Sequence, residues 1–221
     1  MKLIFSAITK FLFGVVFVGL LLFVPAGGIG YLKGWLFMGL LFIPMLLLGV
    51  VLAIKSPELL EKRLNSRESQ KTQKGVVGII GILFLLGFIV AGLDYRFSWS
   101  NVPDWVVVIA SAVLLISYAL YGEVMRENEY LSRTVEIQEG QKVVDTGLYG
   151  IVRHPMYAVT IWLFVSIPVV LGSWWALLCF LPYVLLIAVR AKDEEKVLEA
   201  GLDGYTEYKQ RVKYRLIPFI W

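Results

Sequence analysis

The chain has 221 residues, 58% of them hydrophobic and 17% charged, with a mean hydropathy of +0.75; this excludes an ordinary water-soluble domain and makes a bilayer the expected solvent. Its 21 basic and 17 acidic residues leave a net charge of +4, which matters through its distribution, and no nucleic-acid partner is expected. One cysteine, Cys179, excludes an internal disulfide, and one histidine, His154, leaves too few soft ligands for an ordinary zinc site, so no metal is expected.

Taken in chain order, apolar runs at about 11–26, 34–54, 75–93 and 104–122 each approach the ~20 residues that a hydrocarbon core requires, and four full membrane-spanning helices are predicted. The first run follows Lys2 and Lys10 and ends in Val24-Pro25-Ala26, as a signal peptide would. The expectation is an uncleaved helix. Two shorter runs, about 156–171 and 174–189, are separated only by Gly172 and Ser173. They read as a helical hairpin, bent or incompletely spanning because of Pro168 and Pro182. The expected fold is all-α, a polytopic transmembrane bundle of four spans plus a C-terminal hairpin and a polar C-terminal tail. It divides into N-terminal membrane helices (1–125) and a core (126–221) made of a polar loop, the hairpin and the tail.

Basic residues fall into alternate loops. Lys2 and Lys10 precede the first helix, and Lys55, Lys62, Arg63, Arg67, Lys71 and Lys74 lie between the second and third. Arg126, Arg133, Lys142 and Arg153 precede the hairpin, and Arg190, Lys192, Lys196, Lys209, Arg211, Lys213 and Arg215 follow it. The other loops hold Lys33 and Arg96, next to Trp35, Trp99, Trp105, Trp174 and Trp175. The positive-inside rule puts both termini in the cytoplasm, with the tryptophans forming an interfacial belt on the other side.

The four apolar helices offer almost no ionisable groups for a proton or ion path, so the chemistry is expected in the polar loop before the hairpin and the tail after it. Three clusters stand there: Gln141-Lys142-Val143-Val144-Asp145-Thr146-Gly147-Leu148-Tyr149, then Arg153-His154-Pro155-Met156-Tyr157, then Arg190 with Glu194 and Glu195, continued by Leu198, Tyr205, Tyr208 and Arg215-Leu216-Ile217-Pro218. Each also has a bland reading. Pro155 suits a helix N1 position, His154 an interfacial cap, and Tyr149 and Tyr157 a belt. Arg190 and Glu194 suit a surface i, i+4 pair, and the tail an amphipathic helix laying Val197, Leu198 and Tyr205 on headgroups.

In this order, Val-Val-x-x-Gly-x-Tyr, Arg-His-Pro-x-Tyr, an apolar hairpin, Arg-x-x-x-Glu-Glu-x-x-Leu, Tyr-x-x-Tyr and Arg-Leu-Ile-Pro, the last 85 or so residues resemble the isoprenylcysteine carboxyl methyltransferase family. The phospholipid methyltransferases share its broad plan. The resemblance implies methyl transfer from S-adenosylmethionine, held at the cytosolic mouth, to a lipophilic acceptor arriving from the membrane lipid. It implies cofactor contacts from Gln141, Lys142, Val143, Val144, Tyr149, His154, Pro155, Met156, Tyr157 and Glu194. Gln141 departs from the histidine common among relatives. A further contact falls near Thr134 or Gln138. The resemblance also implies that Arg190 meets the acceptor, and Arg190 and Glu194 are the residues expected to carry the catalytic step.

The residue types suit this cofactor, which presents an adenine face, ribose hydroxyls, a zwitterionic end and a sulfonium. Tyr149, Tyr157, His154 and Glu194 supply aromatic walls, donors and a carboxylate. No Gly-x-Gly-x-x-Gly loop is present, which excludes a soluble Rossmann-type methyltransferase. A carboxylate acceptor needs no general base and suits a bidentate Arg190; an amine acceptor would need Glu194, Glu195 or His154 to take a proton. Amine methylation of a phospholipid headgroup, a nicotinamide-dependent membrane reductase and a non-catalytic membrane protein are the alternative readings.

Overall fold

The computed structural model describes residues 2–64, 71–131 and 137–221. Arg67, Arg133 and Thr134 lie outside the described residues. Among the described residues, five helices are long and apolar enough to cross a membrane. Of these, α1 (Lys2–Phe23), α2 (Leu32–Lys55), α4 (Lys71–Phe97) and α5 (Asp104–Glu127) correspond to the four predicted spans, each extended at its ends. The hairpin follows, with α6 (Pro155–Val170) as its first arm and α7 (Trp174–Phe180) leading into α8 (Pro182–Gly201) as its second. The second arm runs 28 residues and is the fifth span, whereas α6, with 16 residues, rises only ~24 Å and falls short of a ~30 Å core. Pro182 marks the break between α7 and α8, as expected of a proline that cannot continue the hydrogen-bond ladder.

Two further short helices are present among the described residues. Helix α3 (Pro57–Leu64) interrupts the basic loop after α2, and α9 (Tyr205–Arg211) shapes the tail. Pro57 behind Ser56 is the sequence sign of the first, because a missing N–H costs nothing at the first turn. Leu59 and Leu60 are buried, Leu59 in a cluster with Val124, Met125, Leu131 and Tyr149.

The apolar core draws on α1, α2, α4, α5, α6 and α7, and at its edge the ring of Phe84 lies 4.6 Å from Phe164 and 4.8 Å from Phe180, both edge-on. Gly87 permits this approach, since a Cβ there would stand 2.3 Å from the Phe180 ring; at Gly92 a Cβ would meet the Leu22 carbonyl oxygen at 2.5 Å. Outward-facing Phe5, Phe13, Ile43, Leu47, Ile82, Val108 and Ile116 are exposed, the arrangement of a bundle whose solvent is hydrocarbon.

Connections sort the chain ends onto two faces. At one, Tyr31 donates to the Leu171 carbonyl, and Lys33 Nζ reaches the Val102 carbonyl (3.0 Å) and Asp104 (3.1 Å). Asp94, 1% exposed, accepts there from the Ser100 amide (2.7 Å) and from the hydroxyls of Ser100 and Ser173, so this buried carboxylate pins α4 to the hairpin turn. At the other face, Lys10 Nζ donates to the Leu64 carbonyl (2.7 Å) and Lys62 to that of Glu129 (3.4 Å). The N-terminus, the end of α5, the start of α6 and the tail share this basic face, as the alternation of charged loops predicts.

Candidate active site

The three sequence clusters meet at the basic face. The end of α5, the loop 137–146, a 3-10 turn (Gly147–Gly150), the start of α6, the end of α8 and α9 surround a recess that is open to solvent. Of the predicted residues, Gln141, Lys142, Val143, Val144, Tyr149, His154, Met156, Tyr157 and Glu194 line it. Pro155 does not. It is buried at the first position of α6 and sets that helix's start. Gln138 stands outside the lining and brackets the loop: its backbone N–H donates to Gln141 Oε1 (2.9 Å).

Arg190 also lies outside the lining, 7% exposed, behind Tyr157. Its Nε donates to the Tyr157 hydroxyl (3.0 Å), which in turn donates to Glu194 Oε2 (2.5 Å). The Arg190–Glu194 surface pair of the bland reading is thereby corrected: a tyrosine from α6 bridges the two groups and the arginine is buried. The belt reading of Tyr149 and Tyr157 also fails, because they are 7% and 5% exposed. Val197, Leu198 and Tyr205 line the recess instead of resting on headgroups. His154 does stand at the N-cap of α6, without a side-chain capping bond; its ring stacks on Tyr157 at 5.6 Å.

Glu195, one residue on from Glu194, points the other way round the helix and is 2% exposed. Its Oε1 accepts from Arg153 Nε (2.7 Å) and stands 3.3 Å from His154 Nε2, while Oε2 accepts from Arg215 (2.6 Å). Arg153 also donates to the carbonyls of Val212 (2.7 Å) and Lys213 (2.8 Å). The backbone amides of Arg153 and His154 bond the carbonyls of Tyr214 (2.9 Å) and Arg215 (3.0 Å). The Arg-His-Pro and Arg-Leu-Ile-Pro segments are thus two halves of one clamp, closed on Glu195.

Asn128, Tyr130, Leu131, Arg153, Leu202, Tyr205 and Tyr208 complete the lining without having been assigned to it from sequence. Asn128 Nδ2 donates to the Tyr149 hydroxyl (2.9 Å), and Tyr208 donates to the Tyr149 carbonyl (2.8 Å), so this tyrosine is fixed at both ends. Burial, foremost, holds the phenols of Tyr149, Tyr205 and Tyr208 well above their ordinary range. They remain protonated donors throughout the working pH range.

The recess therefore offers aromatic and aliphatic walls, a carboxylate at Glu194, several phenols and a backbone strip at 141–144, a donor set that fits a nucleoside joined to an amino acid. Arg153 is taken up by Glu195, which leaves Lys142, exposed at the rim, as the cation available to a ligand among the lining residues.

Residues 105–200 match the isoprenylcysteine carboxyl methyltransferase (ICMT) family. The fold is similar to the solved structure of a eukaryotic intramembrane Ras methyltransferase, isoprenylcysteine carboxyl methyltransferase, with a TM-score of 0.52 and 19% identity over 83% of this chain and 65% of that one. A delta(14)-sterol reductase of Mus musculus is 29% identical over 99 residues, 40% of this chain and 22% of the reductase. This chain thus covers under a quarter of the reductase and just under two-thirds of the methyltransferase.

Proposed function

We propose that this chain, an isoprenylcysteine carboxyl methyltransferase-like protein of the membrane, transfers a methyl group from S-adenosylmethionine to a lipophilic acceptor, a carboxylate of the isoprenylcysteine type. The observation that carries the reading is the recess: nine of the ten residues implied as cofactor contacts by the family resemblance converge on it from four separate stretches of chain. When bound, adenosylmethionine supplies a methyl group made electrophilic by its sulfonium. The protein's part is alignment and exclusion of water, since an in-line displacement gains most from a held geometry.

Glu194 and the phenols hold the polar groups of the donor, and the aromatic and aliphatic walls cover its adenine. The recess sits at the polar ends of α5, α6 and α8. An acceptor can keep its lipid part among the acyl chains and bring only its reactive end to the site. Arg190, behind Tyr157 at the same level, is the residue that orients that end; its fork suits a carboxylate, and a carboxylate needs no base.

Calorimetric titration of the detergent-purified protein with adenosylmethionine and with NADPH tests the reading. Saturable binding of adenosylmethionine and none of NADPH is expected. The reverse result would move the chain to the reductase side of its relatives, where a 2'-phosphate needs more cationic groups than Lys142 provides. We also infer that the basic face is cytoplasmic. Reporter fusions at the C-terminus and near Trp99 should then report opposite compartments, and agreement between them would refute that orientation.

A further inference from the structure

The hydroxyls of Tyr205 and Tyr208 are placed differently, although the two residues lie one helical turn apart with ring centroids 5.6 Å from each other. Tyr208 is satisfied by the Tyr149 carbonyl. Tyr205 is 3% exposed and lines the recess, and its hydroxyl has no hydrogen-bond partner among the described residues. A buried hydroxyl without a partner is costly, and native chains retain one where a ligand completes it.

We propose that Tyr205 is a cofactor-contacting residue whose hydroxyl donates a hydrogen bond to an uncharged acceptor atom in the nucleoside part of adenosylmethionine. This rests on the adenosylmethionine reading above. The direction of the bond follows from the surroundings: burial first, then the nearby charges of Glu195 and Glu194, keep the phenol protonated. The kind of acceptor follows from the same charges. Glu195 is neutralised by Arg153 and Arg215, but Glu194 faces the recess and repels the carboxylate end of the cofactor, whereas a ribose or adenine atom carries no charge to be repelled. Glu194, which also lines the recess, accepts hydrogen bonds only, so Tyr205 supplies the complementary donor on that side.

The test compares wild type, Tyr205→Phe and Tyr208→Phe in detergent, with calorimetric affinities for adenosylmethionine and S-adenosylhomocysteine and the melting temperature of the ligand-free protein. Tyr205→Phe should lose ~3-fold to ~10-fold in affinity for both ligands alike, the range of one neutral hydrogen bond. Its ligand-free melting temperature should hold or rise, because the change removes a polar atom that nothing satisfies. Tyr208→Phe, which orphans the Tyr149 carbonyl, should melt lower. Wild-type affinity in Tyr205→Phe would overturn the proposal, as would a loss of affinity accompanied by a lower melting temperature, which marks a structural role. Wild-type protein that binds neither ligand would instead defeat the adenosylmethionine reading itself, before any substitution is compared.

Discussion

Replacing Glu195 with alanine should cost the folded protein about 3 to 5 kcal/mol, the range for removing one partner of a buried ion pair. The carboxylate is the single anion between Arg153, His154 and Arg215 in the clamp, and its own side chain is 3% exposed beside arginines at 6% and 16%. Without it, two guanidinium groups stay out of water with no counter-charge, and the tail loses the point at which it is tied to α6 and α8. Glu195→Gln should recover part of the loss, because an amide oxygen still accepts from Arg153 while the charge is gone. Denaturation of the detergent-solubilised variants measures this. Wild-type stability in Glu195→Ala would mean that the clamp is held by its backbone bonds alone. Cofactor affinity should fall in step with stability, since the clamp positions His154 on one wall of the recess and α9 on the other.

This inverts what two adjacent glutamates suggest in a sequence. Glu194 and Glu195 look interchangeable until the helix is built, when the ~100° rotation between neighbours sends one to the recess and the other into the clamp. The partners of Glu195 come from 42 residues before and 20 residues after it, and no local pattern announces such pairings. What periodicity and composition do reveal is the membrane part. Runs of about 20 apolar residues can only be spans, Gly172-Ser173 between two apolar runs can only be a tight turn, and alternate basic loops sort the faces. Much of the recess is legible through the order of motif segments that the chain shares with the methyltransferase family, because Tyr149, His154, Tyr157 and Glu194, taken singly, each have a bland reading. Asn128, Tyr130 and Leu131 escaped notice because they follow a span as an ordinary polar junction, and their role depends on how the 3-10 turn folds back to set Tyr149 against Asn128. The sequence places Arg190 one helical turn before Glu194, and the geometry adds Tyr157 between them, a contact that needs α6 and α8 to pack side by side.

That chain of contacts, Arg190 to Tyr157 to Glu194, frames the second large effect. Glu194→Ala should weaken adenosylmethionine binding by roughly tenfold to a hundredfold, corresponding to the ~1.5 to 3 kcal/mol of one charge-assisted hydrogen bond. Glu194 is half-buried and has no part in the Arg153–Arg215 clamp, so the variant should lose less stability than Glu195→Ala, about 1 to 3 kcal/mol for the buried Tyr157 hydroxyl left without its acceptor. Arg190→Lys is its counterpart on the other side of Tyr157. Lysine keeps the positive charge but not the Nε–H that meets the Tyr157 hydroxyl, nor the planar fork that would grip a carboxylate. If Arg190 orients the acceptor, this variant should bind adenosylmethionine almost as wild type does and transfer methyl groups far more slowly at saturating cofactor. Calorimetry and turnover on the same preparations, with an acceptor found by screening lipid extracts, give both quantities. Unchanged affinity in a folded Glu194→Ala protein would remove that residue from the site. For Arg190→Lys, wild-type turnover would remove the arginine from the reaction, and lost cofactor binding would assign it, through Tyr157 and Glu194, to the donor side.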